Sequence, residues 1–203
     1  MSGVDQPFKE ARAVFEGQGG MLRMAEAIER GISRYTLYAM RDAGIIERMS
    51  RGLYRLTDLE PLGNPDLVTC ARRIPHGIIC LTSALAYYEL TTQVPHVVDV
   101  AIRMDREAPR VDYPPVRLWW LSKKTFDAGI VEHSIDGAKV KMYTAEKSIT
   151  DAFKFRGKIG SDVAVEALRN WYIKPGRDLG ALQRYAKICR VTNVLRPYLE
   201  ALQ

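Results

Sequence analysis

The chain has 203 residues, of which 47% are hydrophobic and 27% are charged. This composition is typical of a globular protein and excludes disordered, collagenous and membrane-spanning classes. Lys and Arg number 30 against 24 Asp and Glu, and the net charge of +6 favours a polyanionic partner. Cys70, Cys80 and Cys189 are far apart in the sequence, so we expect buried, reduced thiols in a cytoplasmic protein with no membrane association.

The strongest break in the sequence lies at 60–65, where EPLGNP combines two prolines with a glycine. Neither a helix nor a central strand can continue through such a segment. We therefore predict two domains, 1–60 and 61–203. The predicted fold class is α+β, with an N-terminal winged helix-turn-helix followed by a mixed α/β domain that ends in a helical tail.

The N-terminal segment contains three helical patterns followed by one hairpin. Apolar spacing predicts helices over 7–17 and 21–30, and Ser33 is placed to cap a third. Only Gly31, Ile32 and Ser33 separate the second helix from the third, which is typical of a helix-turn-helix corner. Strands at 45–48 and 53–56 around a turn ending in Gly52 complete the wing.

The C-terminal segment alternates strands with helices before the helical tail. Predicted strands cover 78–81, 97–103 and 116–121, with a hairpin at 130–135 and 139–143. Predicted helices cover 65–73, a segment capped by Thr82, 145–155, 161–173 with Ser161 as its N-cap, 178–190 and 192–202.

The third helix of the N-terminal domain has one apolar side and one side suited to nucleic acid. A helical wheel places Leu37 and Met40 inward, with Arg34, Tyr35 and Tyr38 opposite and Arg41 at the edge. Recognition helices present their N-terminal residues to base edges in the major groove, where arginine can bind guanine bidentately. These side chains are therefore the candidates for base readout.

Three arginines of the predicted wing extend this surface. Arg48 and Arg51 flank the turn and Arg55 follows on the second strand, where they could reach phosphates or the minor groove. The alternative is a protein-interaction module, since exposed tyrosines and arginines also suit protein interfaces. Clustering of basic residues on one helix face and the wing favours DNA.

The sequence lacks a constellation typical of an enzyme. His76, His96 and His133 are widely separated, and Gly160-Ser161 is not followed by the Asp-x-Asp pair of a nucleotidyltransferase site. We expect no catalytic residues, no metal and no cofactor. Glu146 is interpreted as a helix N-terminal acid, and Lys147 with Asp151 as an i, i+4 pair worth a few tenths of a kcal/mol.

Tryptophans supply another candidate for nucleic-acid contact. Trp119 with Trp120 in a strand, and Trp171 at a helix end, could stack on bases, but core packing is the preferred interpretation.

The basic residues are distributed unevenly along the chain. Residues 1–60 hold nine basic and nine acidic side chains, whereas 139–203 hold 13 against six. A second polyanion-facing surface or a solvated basic face would explain this surplus.

Three stretches of the chain are distinctive: GISRYTLYAMRDAGIIERMSRGLYRL at 31–56, HGIICLTSALAYYELT at 76–91, and YTAEKSITDAFKFRGKIGSDVAVEALRNWY at 143–172. Together they resemble the AbiEi antitoxin family of bacterial abortive-infection toxin-antitoxin systems. The most specific parts are RGLYR at 51–55 and EKSITD at 146–151. The resemblance extends over nearly the whole chain.

The resemblance implies a transcriptional autorepressor that is also a type IV antitoxin. Its N-terminal winged helix would bind double-stranded DNA at inverted repeats upstream of its own operon. Its C-terminal domain would counter a nucleotidyltransferase-like toxin, and a stable complex with that toxin is not implied. DNA contact would fall on Arg34, Tyr35, Tyr38, Arg41, Arg48 and Arg51, by a monomer or weak dimer that cooperates on DNA. The alternative is a winged-helix regulator with an effector-binding C-terminal domain and no toxin partner.

Overall fold

The computed structural model describes residues 5–202, which form an α+β protein. The N-terminal module consists of α1 (Asp5–Glu16), β1 (Met21–Arg23), α2 (Met24–Glu29), α3 (Arg34–Asp42), β2 (Ile46–Ser50) and β3 (Leu53–Leu56). Its strands form an antiparallel sheet in the order β1-β3-β2. The predicted winged helix-turn-helix is therefore present, with one more strand than expected.

That additional strand corrects the prediction of a helix beginning at residue 21. Met21 pairs with Arg55, and Leu22 pairs with Tyr54. Met21 and Leu22 are both buried but lie in different hydrophobic clusters, since successive side chains of a strand point to opposite faces. Apolar spacing typical of a helix could not account for two neighbouring side chains buried on opposite faces, and Ile28 of α2 is 40% exposed.

The C-terminal body is built on a mixed sheet. Its elements are α4 (Pro65–Arg73), β4 (Ile78–Ile79), α5 (Leu81–Tyr87), β5 (Val98–Arg103), β6 (Val116–Leu121), α6 (Lys123–Phe126), β7 (Ile130–Ile135), β8 (Ala138–Tyr143), α7 (Ala145–Lys154), α8 (Arg156–Ile159), α9 (Ser161–Ile173), α10 (Leu179–Cys189) and α11 (Thr192–Glu200). The strand order is β6-β5-β4-β8-β7. The β5–β6 and β4–β8 pairs are parallel, and the other two are antiparallel.

The two faces of this sheet have different coverings. Helices α5, α7, α9, α10 and α11 contribute to the hydrophobic cluster on one face. On the other face, Val100 and Val140 pack with Leu67 of α4 and with Met21 and Leu53 of the N-terminal module. The two predicted domains, 1–60 and 61–203, are thus packed against each other through a shared core. Arg72 of α4 adds a hydrogen bond of 3.2 Å to the carbonyl of Gln18.

Helix α7 contains an ion pair whose burial the sequence did not indicate. The side chains of Lys147 and Asp151 are 0% and 1% exposed, respectively, and they form a salt bridge. The Lys147 ammonium also lies 4.0 Å from the centre of the Tyr143 ring, and Cys189 Sγ donates to Asp151 at 3.3 Å. The expectation of a weak pair worth a few tenths of a kcal/mol is therefore wrong, because α7 is enclosed by α5, α9 and α10.

The tryptophans largely follow the core interpretation. Trp119 and Trp171 are buried, whereas Trp120 is 46% exposed on edge strand β6.

Two predicted N-caps are displaced: Gly160 precedes α9 in place of Ser161, and Cys80 precedes α5 in place of Thr82. Among residues 5–202, the structure contains no helix long and apolar enough to cross a membrane.

The three cysteines are free and buried, as expected. Burial raises the pKa of the Cys70 thiol to about 12 and that of the Cys189 thiol to about 11. Burial also raises the pKa of the Cys80 thiol. Since the thiolate is the reactive form of cysteine, these side chains are poor nucleophiles near neutral pH.

Candidate nucleic-acid interface

The start of α3 is fixed by a serine cap. Ser33 Oγ accepts a hydrogen bond of 3.0 Å from the Thr36 amide and lies 2.8 Å from the Thr36 hydroxyl. Gly31, with a φ of +87°, makes the sharp corner after α2. This local geometry presents the first turn of α3 at the surface, where Arg34 and Tyr35 follow the cap directly.

The inner side of α3 anchors it to the module. Leu37 and Met40 are 0% exposed and belong to a cluster with Phe15, Ile46 and Leu56. Burial of two large side chains contributes about 3–6 kcal/mol, at 1.5–3 kcal/mol each. The helix is therefore held rigidly by one face, which leaves the opposite face free to bind.

The outer side of α3 carries the predicted readout residues together. Arg34 is exposed, Tyr35 is 82% exposed and Tyr38 is 41% exposed. A tyrosine exposed to this extent does little for the stability of the fold, since its ring has few neighbours to pack against. The surface formed by Arg34, Tyr35 and Tyr38, called the readout face below, combines aromatic area, hydroxyl groups and a guanidinium.

Arg41 lies at the edge of the readout face and is engaged within the protein. Its guanidinium donates to Asp42 Oδ1 from Nε at 2.8 Å and from Nη2 at 2.7 Å. It also lies 5.1 Å from the centre of the Tyr38 ring. The bonds to Asp42 raise the pKa of Arg41. Arg41 thus supports Tyr38, and Asp42 offsets part of the charge it could offer to phosphates.

The wing arginines Arg48 and Arg51 are both exposed. Arg48 Nε donates to the Ser50 carbonyl at 3.2 Å, across an irregularity in the β2–β3 register. Gly52, with a φ of +71°, completes the turn. Both guanidiniums therefore lie at the end of the module's hairpin, where the sequence placed them.

Arg55 does not belong to this surface, contrary to the expectation for a wing residue. Its side chain is 7% exposed, forms a 3.4 Å ion pair with Glu47 and donates to the Glu60 carbonyl. The reason is topological. Strand β3 lies between β1 and β2, and all four of its residues are buried, so both of its faces are covered.

The Ser33 cap gives a first testable prediction. Ser33→Ala removes the side-chain acceptor of the Thr36 amide, and we expect the free energy of unfolding to fall by about 1 kcal/mol. Urea denaturation followed by circular dichroism measures this difference. Ser134→Ala, an exposed serine on β7, is the control and should change it by less than about 0.5 kcal/mol. Equal stability of the two variants would contradict the capping role.

The fold and the exposed helix define a winged helix-turn-helix module packed on a mixed α/β body. Residues 9–57 match the family described as "Transcriptional regulator, AbiEi antitoxin". The predicted family resemblance is thereby confirmed for this part of the chain, which includes the readout face and both exposed wing arginines. The described class is that of a regulator and antitoxin, which is not a class of enzyme.

A solved structure is similar to nearly the whole chain, including the C-terminal body. The crystal structure of the RV2827C protein from Mycobacterium tuberculosis is similar to this chain with a TM-score of 0.52 and 13% sequence identity. The likeness covers 96% of this chain and 80% of that one. At this identity it shows a shared fold. No curated protein matches the sequence.

Proposed function

We propose that this protein is a sequence-specific DNA-binding repressor of its own operon and an antitoxin. The observation that carries the proposal is the readout face: Arg34, Tyr35 and Tyr38 are exposed on a helix whose other side is fully buried. The match of residues 9–57 to a family of regulators and antitoxins supports the same function. We also propose a cytoplasmic location, because the proposed DNA target requires it.

In the proposed complex, α3 enters the major groove with its N-terminal turn towards the bases. Arg34 would bind guanine O6 and N7, which gives roughly 1–3 kcal/mol of discrimination. Tyr35 and Tyr38 would contact neighbouring base edges and sugars, while Arg48 and Arg51 would contact phosphates and fix the register. Arg41 would make the weakest contribution, since Asp42 already holds its guanidinium. Inverted repeats would be occupied by monomers or a weak dimer that cooperates on DNA.

The antitoxin activity is assigned to the C-terminal body. We propose that it counters a nucleotidyltransferase-like toxin, with no requirement for a stable complex. The basic surplus supports a role beyond folding, because residues 61–203 hold 21 basic side chains against 15 acidic ones. Such a surplus attracts polyanions at long range.

DNA binding is tested by fluorescence anisotropy with the full chain and a duplex from upstream of its own gene. We expect this duplex to bind roughly 1000-fold more tightly than a scrambled duplex of the same composition. The affinity should fall steeply with salt, since phosphate contacts release counterions. Equal affinity for the two duplexes would contradict a sequence-specific repressor.

The antitoxin role is tested in cells that express the neighbouring toxin gene. The full chain, produced from an independent promoter, should restore growth. The Arg34→Ala/Tyr38→Ala variant should restore growth equally well, because it removes operator contacts and leaves the body intact. Failure of both proteins to restore growth would contradict the antitoxin assignment without affecting the DNA-binding one.

A further inference from the structure

The backbone of the wing tip is held from both sides by the C-terminal body. The Arg51 amide donates to Asp112 Oδ2 at 3.1 Å, and Arg73 Nη1 donates to the Arg51 carbonyl at 2.8 Å. Arg73 is the last residue of α4, and Asp112 lies in the loop that joins β5 to β6. Both hydrogen-bonding groups of one wing residue are thus bound by side chains of the body.

The two side chains that hold the wing tip also interact with each other. Arg73 Nη2 lies 3.5 Å from Asp112 Oδ1 and donates to the Arg110 carbonyl at 3.4 Å. Arg73 is 20% exposed and Asp112 is 44% exposed, so this contact is partly withdrawn from water. Arg51, Arg73 and Asp112 therefore form one connected arrangement, called the wing clamp below.

The clamp fixes the direction in which the Arg51 side chain leaves the hairpin. With both backbone groups of Arg51 bound, the wing tip has little freedom to rotate. Binding that orders a flexible loop is weakened by the entropy it loses, and preorganisation removes that loss. A wing tip ordered before DNA arrives should therefore bind phosphates more tightly than a free one.

We propose that Asp112 and Arg73 are positioning residues for DNA binding, through which the C-terminal body sets the geometry of the wing. The proposal rests on the proposed function, since Arg51 must contact DNA for its position to matter. It makes the β5–β6 loop part of the DNA-binding apparatus without requiring that loop to touch the duplex. A change of the loop that displaces Asp112 would then alter operator affinity.

A simple electrostatic effect of Asp112 has the opposite sign. A carboxylate beside Arg51 repels phosphates, so removing it would tighten binding if charge alone mattered. Positioning predicts weaker binding when the acceptor for the Arg51 amide is lost. The direction of the change in affinity therefore separates the two effects.

The test measures operator affinity of the full chain for a set of single variants and one double variant. Asp112→Ala should weaken binding about tenfold. Asp112→Asn, which keeps an acceptor for the Arg51 amide, should retain the wild-type affinity or bind slightly more tightly. Asp105→Ala is the matched control, because Asp105 lies in the same loop and pairs with Arg103. In an Arg51→Ala background, Asp112→Ala should have less than about a twofold further effect.

The outcomes separate the clamp from the proposed function. Tighter operator binding by Asp112→Ala would overturn the clamp. So would an Asp112→Ala effect on affinity that is as large in the Arg51→Ala background as in the wild-type protein. If Arg51→Ala weakens binding and Asp112→Ala does not, the clamp fails and DNA binding by the wing stands. If neither Arg34→Ala nor Arg51→Ala weakens binding, the proposed function fails and the clamp has no role. Thermal unfolding of each variant shows whether a loss of affinity reflects a loss of folded protein.

Discussion

Replacing Arg34 and Tyr38 together by alanine is expected to weaken operator binding by about 100-fold or more. The arginine contact to guanine accounts for roughly 1–3 kcal/mol of discrimination, and every 1.4 kcal/mol is about tenfold in affinity. Loss of Tyr38 adds its own contacts and removes the ring next to Arg41. Both side chains are exposed, so the free energy of unfolding should change by less than about 0.5 kcal/mol for each.

A second arginine-tyrosine pair provides the control. Arg196 and Tyr198 lie on α11, and Tyr198 is 40% exposed, almost the same as Tyr38 at 41%. The Arg196→Ala/Tyr198→Ala variant changes charge and aromatic area equally but should retain operator affinity within about threefold. A readout-face variant that binds as tightly as this control would show that α3 is not the recognition helix.

The largest effect on stability is expected at the buried ion pair of α7. Lys147→Met leaves the Asp151 carboxylate buried without its partner, and we expect the free energy of unfolding to fall by about 3–5 kcal/mol. The Cys189 thiol, which donates to Asp151 at 3.3 Å, is a weak donor and would compensate little. Urea denaturation monitored by tryptophan fluorescence measures the loss.

Two further variants show that burial is the cause. Lys123→Met breaks the exposed Lys123–Asp127 pair, whose side chains are 74% and 47% exposed, and should cost less than about 1 kcal/mol. The double variant Lys147→Met/Asp151→Leu removes both buried charges and should recover much of the lost stability. A loss of less than about 1 kcal/mol in Lys147→Met would contradict the buried pair.

Local pattern predicted most elements of the fold. The predicted strand at 116–121 coincides with β6, and the predicted helix at 161–173 coincides with α9. The pattern failed at β1, where Met21 and Leu22 serve two different cores. It failed again at α7, because only the packing of other elements decides whether an i, i+4 pair is exposed or buried.

In the candidate site, too, local pattern predicts some residues correctly and fails where long-range packing decides. A helical wheel is sufficient to place Arg34, Tyr35 and Tyr38 on one exposed face, since the period of the helix fixes their directions. Arg55 was misassigned because the central position of β3 depends on β1, which the sequence did not indicate. The wing clamp was missed because Asp112 and Arg73 are 61 and 22 residues from Arg51. No local pattern links residues so far apart.

Site-specific photo-crosslinking tests most directly whether α3 faces DNA. Two variants each carry one photoreactive phenylalanine analogue, in place of Tyr35 in the first and of Ile173 of α9 in the second. Tyr35 is 82% exposed and Ile173 is 79% exposed. With a labelled duplex from upstream of the gene, position 35 should crosslink to the DNA and position 173 should not. Crosslinking from position 173 alone, or an absence of crosslinking from position 35 while the duplex remains bound, would contradict the account.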